Sequence, residues 1–102
     1  MTNQELYALL LQEGWVEGNS DPHSMYQPDF EYIWWVHKKV EVEDGEDMLA
    51  DVYTYPNMDI MVELVEYTTS EPEITHTVYK EGQEVEALAH ATRFIAERVA
   101  AA

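Results

Sequence analysis

Carboxylates are the side chains with which this chain could do the most. Glu41, Glu43, Asp44, Glu46, Asp47 and Asp51 put six of them into eleven residues. Asp59, Glu63 and Glu66 follow on the next apolar segment. On a strand, residues two apart point to the same side at a spacing of about 6.6 Å. Rows of carboxylates at that spacing, repeated across neighbouring strands, are comparable in scale to successive phosphates on a nucleic-acid strand. Like charges on adjacent strands destabilise a sheet, a folding cost that solubility alone does not require. The pattern reads either as phosphate mimicry or as the solvated face and tip of a sheet, where alternation puts charge anyway.

Other residue types offer less. His23, His37, His76 and His90 are far apart, and none has a second histidine at metal-ligand spacing. His37 and His76 meet only if the first and fourth strands become neighbours, which consecutive pairing prevents. With no cysteine, a disulfide framework, a thiol nucleophile and a thiolate metal site are all excluded. There is no phosphate-cradling Gly-rich loop, no Gly-x-Ser-x-Gly elbow, no His-Glu-x-x-His and no dinucleotide fingerprint, and the four glycines are scattered singly. Among 21 acids any acid–base pair picked from sequence is arbitrary. The expectation is a protein that is not an enzyme, with no catalytic residues, no metal and no cofactor. A small enzyme using His37 or His76 with a nearby carboxylate would need a pocket and a perturbed histidine.

The charge balance narrows the partners. The 21 acids against five Lys and Arg give a formal net charge of -16, a field that repels phosphate backbones and anionic membrane surfaces. Direct nucleic-acid binding and membrane binding are therefore not expected. The same field steers the protein toward basic surfaces, and those most common in cells belong to proteins that handle nucleic acids.

These side chains need elements to hold them. The chain has 102 residues, 46% hydrophobic and 12% aromatic, which suits one domain over 1–102 with a packed core. Thr2 with Glu5 has the form of a capping box, Leu6, Leu9 and Leu10 make an apolar stripe, and Gly14 stops the helix, predicting a first helix over 3–13. Trp15 and Val16 are expected to fold back on that stripe. Residues 17–29, with Gly18-Asn19 and two prolines, read as a long loop. Within it Met25 and Tyr26, with Phe30 just beyond, either anchor a partner or cover the core.

The segment 31–43 is rich in aromatic and β-branched residues and predicts the first strand. Asp44-Gly45 marks a reversal, with a second strand over 48–55. Pro56-Asn57 marks another, with a third strand over 58–68 and a fourth over 74–79. Short links favour an antiparallel meander. Val85, Leu88, Ala89, Thr92, Ile95, Ala96 and Val99 fall at helical spacing and predict a closing helix. The expected fold is two-layer α+β, a four-stranded antiparallel meander with an N-terminal and a C-terminal helix.

Trp34 and Trp35 are adjacent and must point to opposite sides of their strand. An outward Trp35 beside Ile33, Met61 and Val65 would form an apolar patch suited to an interface, including a homodimer, unless the 17–29 loop covers it. No apolar stretch reaches the roughly 18 residues that span a bilayer, and the start of the sequence lacks the pattern of a signal peptide. A cytoplasmic location is expected, that of the host if the protein is phage-encoded.

In size and charge the chain resembles the small acidic inhibitors by which phages and mobile elements block host nucleases: the anti-restriction, anti-CRISPR and DNA-glycosylase-inhibitor proteins. The likeness is one of composition and carries no motif. It implies a DNA mimic acting on a nucleic-acid-binding protein. The expected contacts, read from the residues themselves, are Glu41, Glu43, Asp44, Glu46, Asp47 and Asp51, with Trp35 and Tyr26 as aromatic anchors. The alternative is a small structural or adaptor protein that self-associates through an exposed apolar sheet face.

Overall fold

The computed structural model describes residues 1–18, 31–40, 48–67 and 72–101. They form α1 (Asn3–Gln12), β1 (Val16–Glu17), β2 (Trp34–Val40), β3 (Met48–Thr54), β4 (Ile60–Tyr67), β5 (Pro72–Tyr79) and α2 (Glu84–Ala101). The fold is α+β, with one antiparallel sheet in the order β1-β2-β3-β4-β5. The expected meander is present, with one short strand added ahead of it.

That strand comes from the way α1 ends. Thr2 and Glu5 close the capping box at the start: the Thr2 hydroxyl accepts from the Glu5 N–H at 3.1 Å and the Glu5 carboxylate accepts from the Thr2 N–H at 3.0 Å. At the other end Gly14 takes φ 95°. Its N–H donates to the Leu11 carbonyl at 3.1 Å and the Trp15 N–H donates to the Leu10 carbonyl at 3.0 Å, the paired bonds of a Schellman ending. The turn folds Trp15 onto Leu6 and Leu10 in the core. Val16 departs from expectation: it is exposed and pairs with His37 as β1. Alternation forces this, because a strand that leaves the helix with Trp15 inward must turn Val16 outward.

Both helices cover the same face of the sheet. Leu6 and Leu10 of α1, with Ala87, Ala91, Phe94 and Ile95 of α2, pack on Trp34, Val36 and Val40, on Ala50 and Val52, and on Ile60, Val62 and Leu64. The buried Asn3 side chain satisfies two partners there, accepting from Trp34 Nε1 at 2.6 Å and donating to the Thr54 hydroxyl at 3.2 Å. Lys38 lies on this face too and donates to the Glu13 carbonyl at 3.0 Å, a cation at the C-terminal end of α1. Against β5, α2 is held by a 2.9 Å hydrogen bond between the Tyr79 hydroxyl and His90 Nδ1.

The third strand starts later than its alternation suggests, at Ile60 rather than Met58. Met58 is the last residue of the β3–β4 turn. Its N–H donates to the Tyr55 carbonyl at 2.8 Å, the Tyr55 N–H donates to the Asp59 carbonyl at 2.9 Å, and its φ is 72°, a left-handed position that glycine normally fills. The reversal between β2 and β3 sets Val40 opposite Met48. Residues 41–47 between them lie outside the described residues. Among those described, no helix is long and apolar enough to cross a membrane.

Candidate functional site

The face of the sheet away from the helices carries the chemistry. Strand alternation sends Trp35, His37, Tyr53, Asp51, Met61, Glu63 and His76 to this side, and the register sorts them into rows. Trp35, Tyr53 and Met61 stand side by side across β2, β3 and β4. The next row is His37, Asp51, Glu63 and His76, one from each of four strands. The meander does separate the two histidines, and it sets two carboxylates between them.

The aromatic row is buried. Trp35 stacks on Tyr53 with ring centroids 5.5 Å apart and meets His37 and Tyr32 edge-on. Only 3% of Trp35 is exposed. Gly18 lies directly against the indole, since a Cβ there would fall 2.2 Å from Trp35 Cδ2. The apolar patch expected if Trp35 faced outward is therefore absent: Trp35, Met61 and Val65 are all buried, and Ile33 alone of that group is exposed.

Asp51 is likewise inside, with 7% exposed. It accepts a 3.0 Å hydrogen bond from Trp35 Nε1. Burial pushes its carboxyl up to about 7, the Trp35 N–H opposes that rise, and the facing Glu63 adds to it. Glu63, 8% exposed, sits 3.3 Å from Nε2 of the solvent-facing His76. The Tyr55 hydroxyl donates to Met61 Sδ at 3.3 Å, and burial, then Glu63 and Asp59, raise its phenol above the ordinary range.

This row can hold or release a proton near neutral pH at Asp51, behind Trp35 and away from solvent. Its geometry also penalises misregister. A one-residue slip of β3 would turn Asp51 off Trp35 Nε1 and into the helix-side core beside Val36 and Val62. Among the described residues no three His, Asp or Glu side chains gather closely enough to hold a metal ion.

Of the contacts expected from sequence, Glu41, Glu43, Asp44, Glu46, Asp47 and Tyr26 lie outside the described residues. Asp51 and Trp35 are described and buried against each other, so neither stands at the surface as an outward contact. The acids of the following strand do not form one row. Asp59 precedes β4 and pairs with Lys80, Glu63 is buried on the second face, and Glu66 turns to the helix side, where Arg98 holds it. Residues 63 and 66 are three apart, an odd spacing that puts them on opposite faces.

The burial of Asp51 had a signal. In Met48-Leu49-Ala50-Asp51-Val52-Tyr53 it is the only polar residue, and a strand apolar on both faces is buried on both. Gly18 had none, because its need for a missing side chain comes from Trp35, 17 positions further along the chain. Comparison with protein-family models, with curated proteins and with solved structures finds no match.

Proposed function

We propose that this is a non-enzymatic protein-binding inhibitor or modulator that occupies a basic, nucleic-acid-binding surface on another protein, as a phage-type DNA mimic occupies a nuclease. The observation that carries the reading is where the charge goes. With a net charge of -16, the chain uses three of its five Lys and Arg side chains on its own groups: Lys80 holds Asp59 at 2.9 Å, Arg98 holds Glu66 and Glu97, and Lys38 caps α1. Glu5, Glu13, Glu17, Glu73, Glu81 and Glu86 meanwhile stand exposed. The outward field is acidic, and acids are also the most frequent residues of 41–47.

The buried row favours binding over catalysis in this reading. Asp51, the one carboxyl among the described residues raised to near neutrality, is buried and held by Trp35 rather than open to a substrate. Self-association through a patch centred on Trp35 loses its basis, since Trp35, Met61 and Val65 are buried.

The test compares the protein with a variant carrying Glu41→Gln, Glu43→Gln, Glu46→Gln and Asp47→Asn. Proteins captured from lysate are identified by mass spectrometry, then re-tested pure. The reading expects a nucleic-acid-binding protein held by the parent chain alone, displaced by duplex DNA, and weakened about tenfold or more between about 50 mM and 300 mM NaCl. Equal capture by both chains, or a complex indifferent to salt and DNA, rejects it.

A further inference from the structure

Strand β5 forms one edge of the sheet. Its outward backbone groups follow from a bond two strands away. The Tyr55 N–H donates to the Asp59 carbonyl, so Tyr55 and Asp59 are a hydrogen-bonded pair, and alternation makes Tyr53–Met61, Asp51–Glu63 and Leu49–Val65 hydrogen-bonded as well. That leaves Ile60, Val62, Leu64 and Glu66 to bond their β5 partners Tyr79, Thr77, Thr75 and Glu73. The N–H and C=O groups of Ile74, His76 and Val78 therefore point away from the sheet. Pro72 has the same parity and, lacking an N–H, removes no ladder bond, which is why the strand tolerates it.

This edge is unprotected by the usual means. Between Glu73 and Lys80 it has no charged residue and no proline, only Ile, Thr, His, Thr, Val and Tyr. Ile74 and Val78 are each 51% exposed on the second face, and among the described residues no strand pairs with this side. In a chain with 21 acids in 102 residues, the acid-free run 74–80 falls where another strand could add. A basic foreign strand would find no carboxylate along it. A second copy of this chain finds its own complement.

We propose that β5 pairs antiparallel with β5 of a second copy about a twofold axis at His76, joining the two sheets into one. This register engages every outward residue: Ile74 faces Val78 of the other copy, Val78 faces its Ile74, and His76 faces His76, each pair exchanging two backbone hydrogen bonds. The two exposed apolar side chains cover each other. On the helix side Thr75 meets Thr77, a favourable cross-strand pair. Across residues 73–79 no acid faces an acid, and each Lys80 comes to the end of the strand where the other copy carries Glu73. The inference is independent of the proposed function and uses a different surface.

Sedimentation velocity tests it. The contact is small, so the dimer should dissociate on the order of 10–100 μM. Two copies of like charge repel, so association should strengthen with salt, opposite to the salt response of a complex with a basic partner. His76→Pro removes the central outward N–H without touching the β4 ladder and leaves the formal charge unchanged. Ile74→Thr with Val78→Thr removes the apolar cover while keeping β-branched residues. Each should weaken the dimer at least tenfold while thermal melts show the domain folded. A parent chain that remains an 11.9 kDa monomer at about 1 mM protein in about 0.5 M NaCl overturns the proposal, as does a dimer that the Thr variant leaves equally strong.

Discussion

Asp51→Asn should make this protein more stable at alkaline pH and less dependent on pH. The substitution keeps an oxygen to accept from Trp35 Nε1 and removes the charge that faces Glu63. In the folded protein the Asp51 carboxyl titrates at about 7 against an ordinary 3.8. The folded state thus binds the proton more tightly than the unfolded state. The favourable contribution is fully present below 3.8, declines as pH rises through the window between the two values, and is gone above about 7. Each pH unit inside that window is worth about 1.4 kcal/mol, so between pH 5 and pH 8 the change attributable to this group is about 3 kcal/mol. Self-repulsion among the other acids also varies with pH, so the quantity to measure is the difference between variant and parent. Urea unfolding followed by tryptophan fluorescence at both pH values supplies it. The variant's advantage should grow by about 3 kcal/mol from pH 5 to pH 8. Parallel pH profiles, or a variant equally destabilised at both, would refute the account of a buried, proton-holding carboxyl.

The same unfolding assay checks two backbone positions. Gly18→Ala should cost about 1–3 kcal/mol by overpacking, because the added methyl would lie within 2.4 Å of three Trp35 ring atoms. An unchanged urea midpoint would show that the indole can yield. Met58→Gly should stabilise by about 0.5–1 kcal/mol, since relief at φ 72° exceeds the added entropy of the unfolded chain. A loss of stability would mean that the Met58 side chain contributes more by packing than its backbone costs. For function, the neutralised 41–47 variant should lose a salt-sensitive complex with a nucleic-acid-binding protein, read by pulldown with DNA competition. The His76→Pro variant should lose a salt-strengthened dimer, read by sedimentation.

The local structure was largely legible because its causes are local. The Thr2–Glu5 capping box, the Gly14 ending and the helical state of α2 are set by residues within a few positions of one another, and each holds in the structure, although α2 turns Ala87, Ala91 and Phe94 inward beside Ile95 and leaves Val85, Ala89 and Ala96 of the expected stripe exposed. The strands were legible for the same reason, within a residue or two at most ends, because β-branched and aromatic runs bounded by turn residues are strands wherever they pack. Composition excluded thiol chemistry without any geometry. What the sequence left open was which face each strand residue meets, and every departure in the described site traces to that. Val16 turned out rather than in; Trp35 and Asp51 turned toward each other rather than to solvent; Glu63 and Glu66 parted to opposite faces; both helices gathered on one side. Only pairing decides these placements. A one-residue change of register reverses every side chain of a strand while leaving its local sequence preferences untouched, and the contacts that select the register, Trp35 Nε1 to Asp51 and Gly18 against the indole, join residues 16 and 17 positions apart.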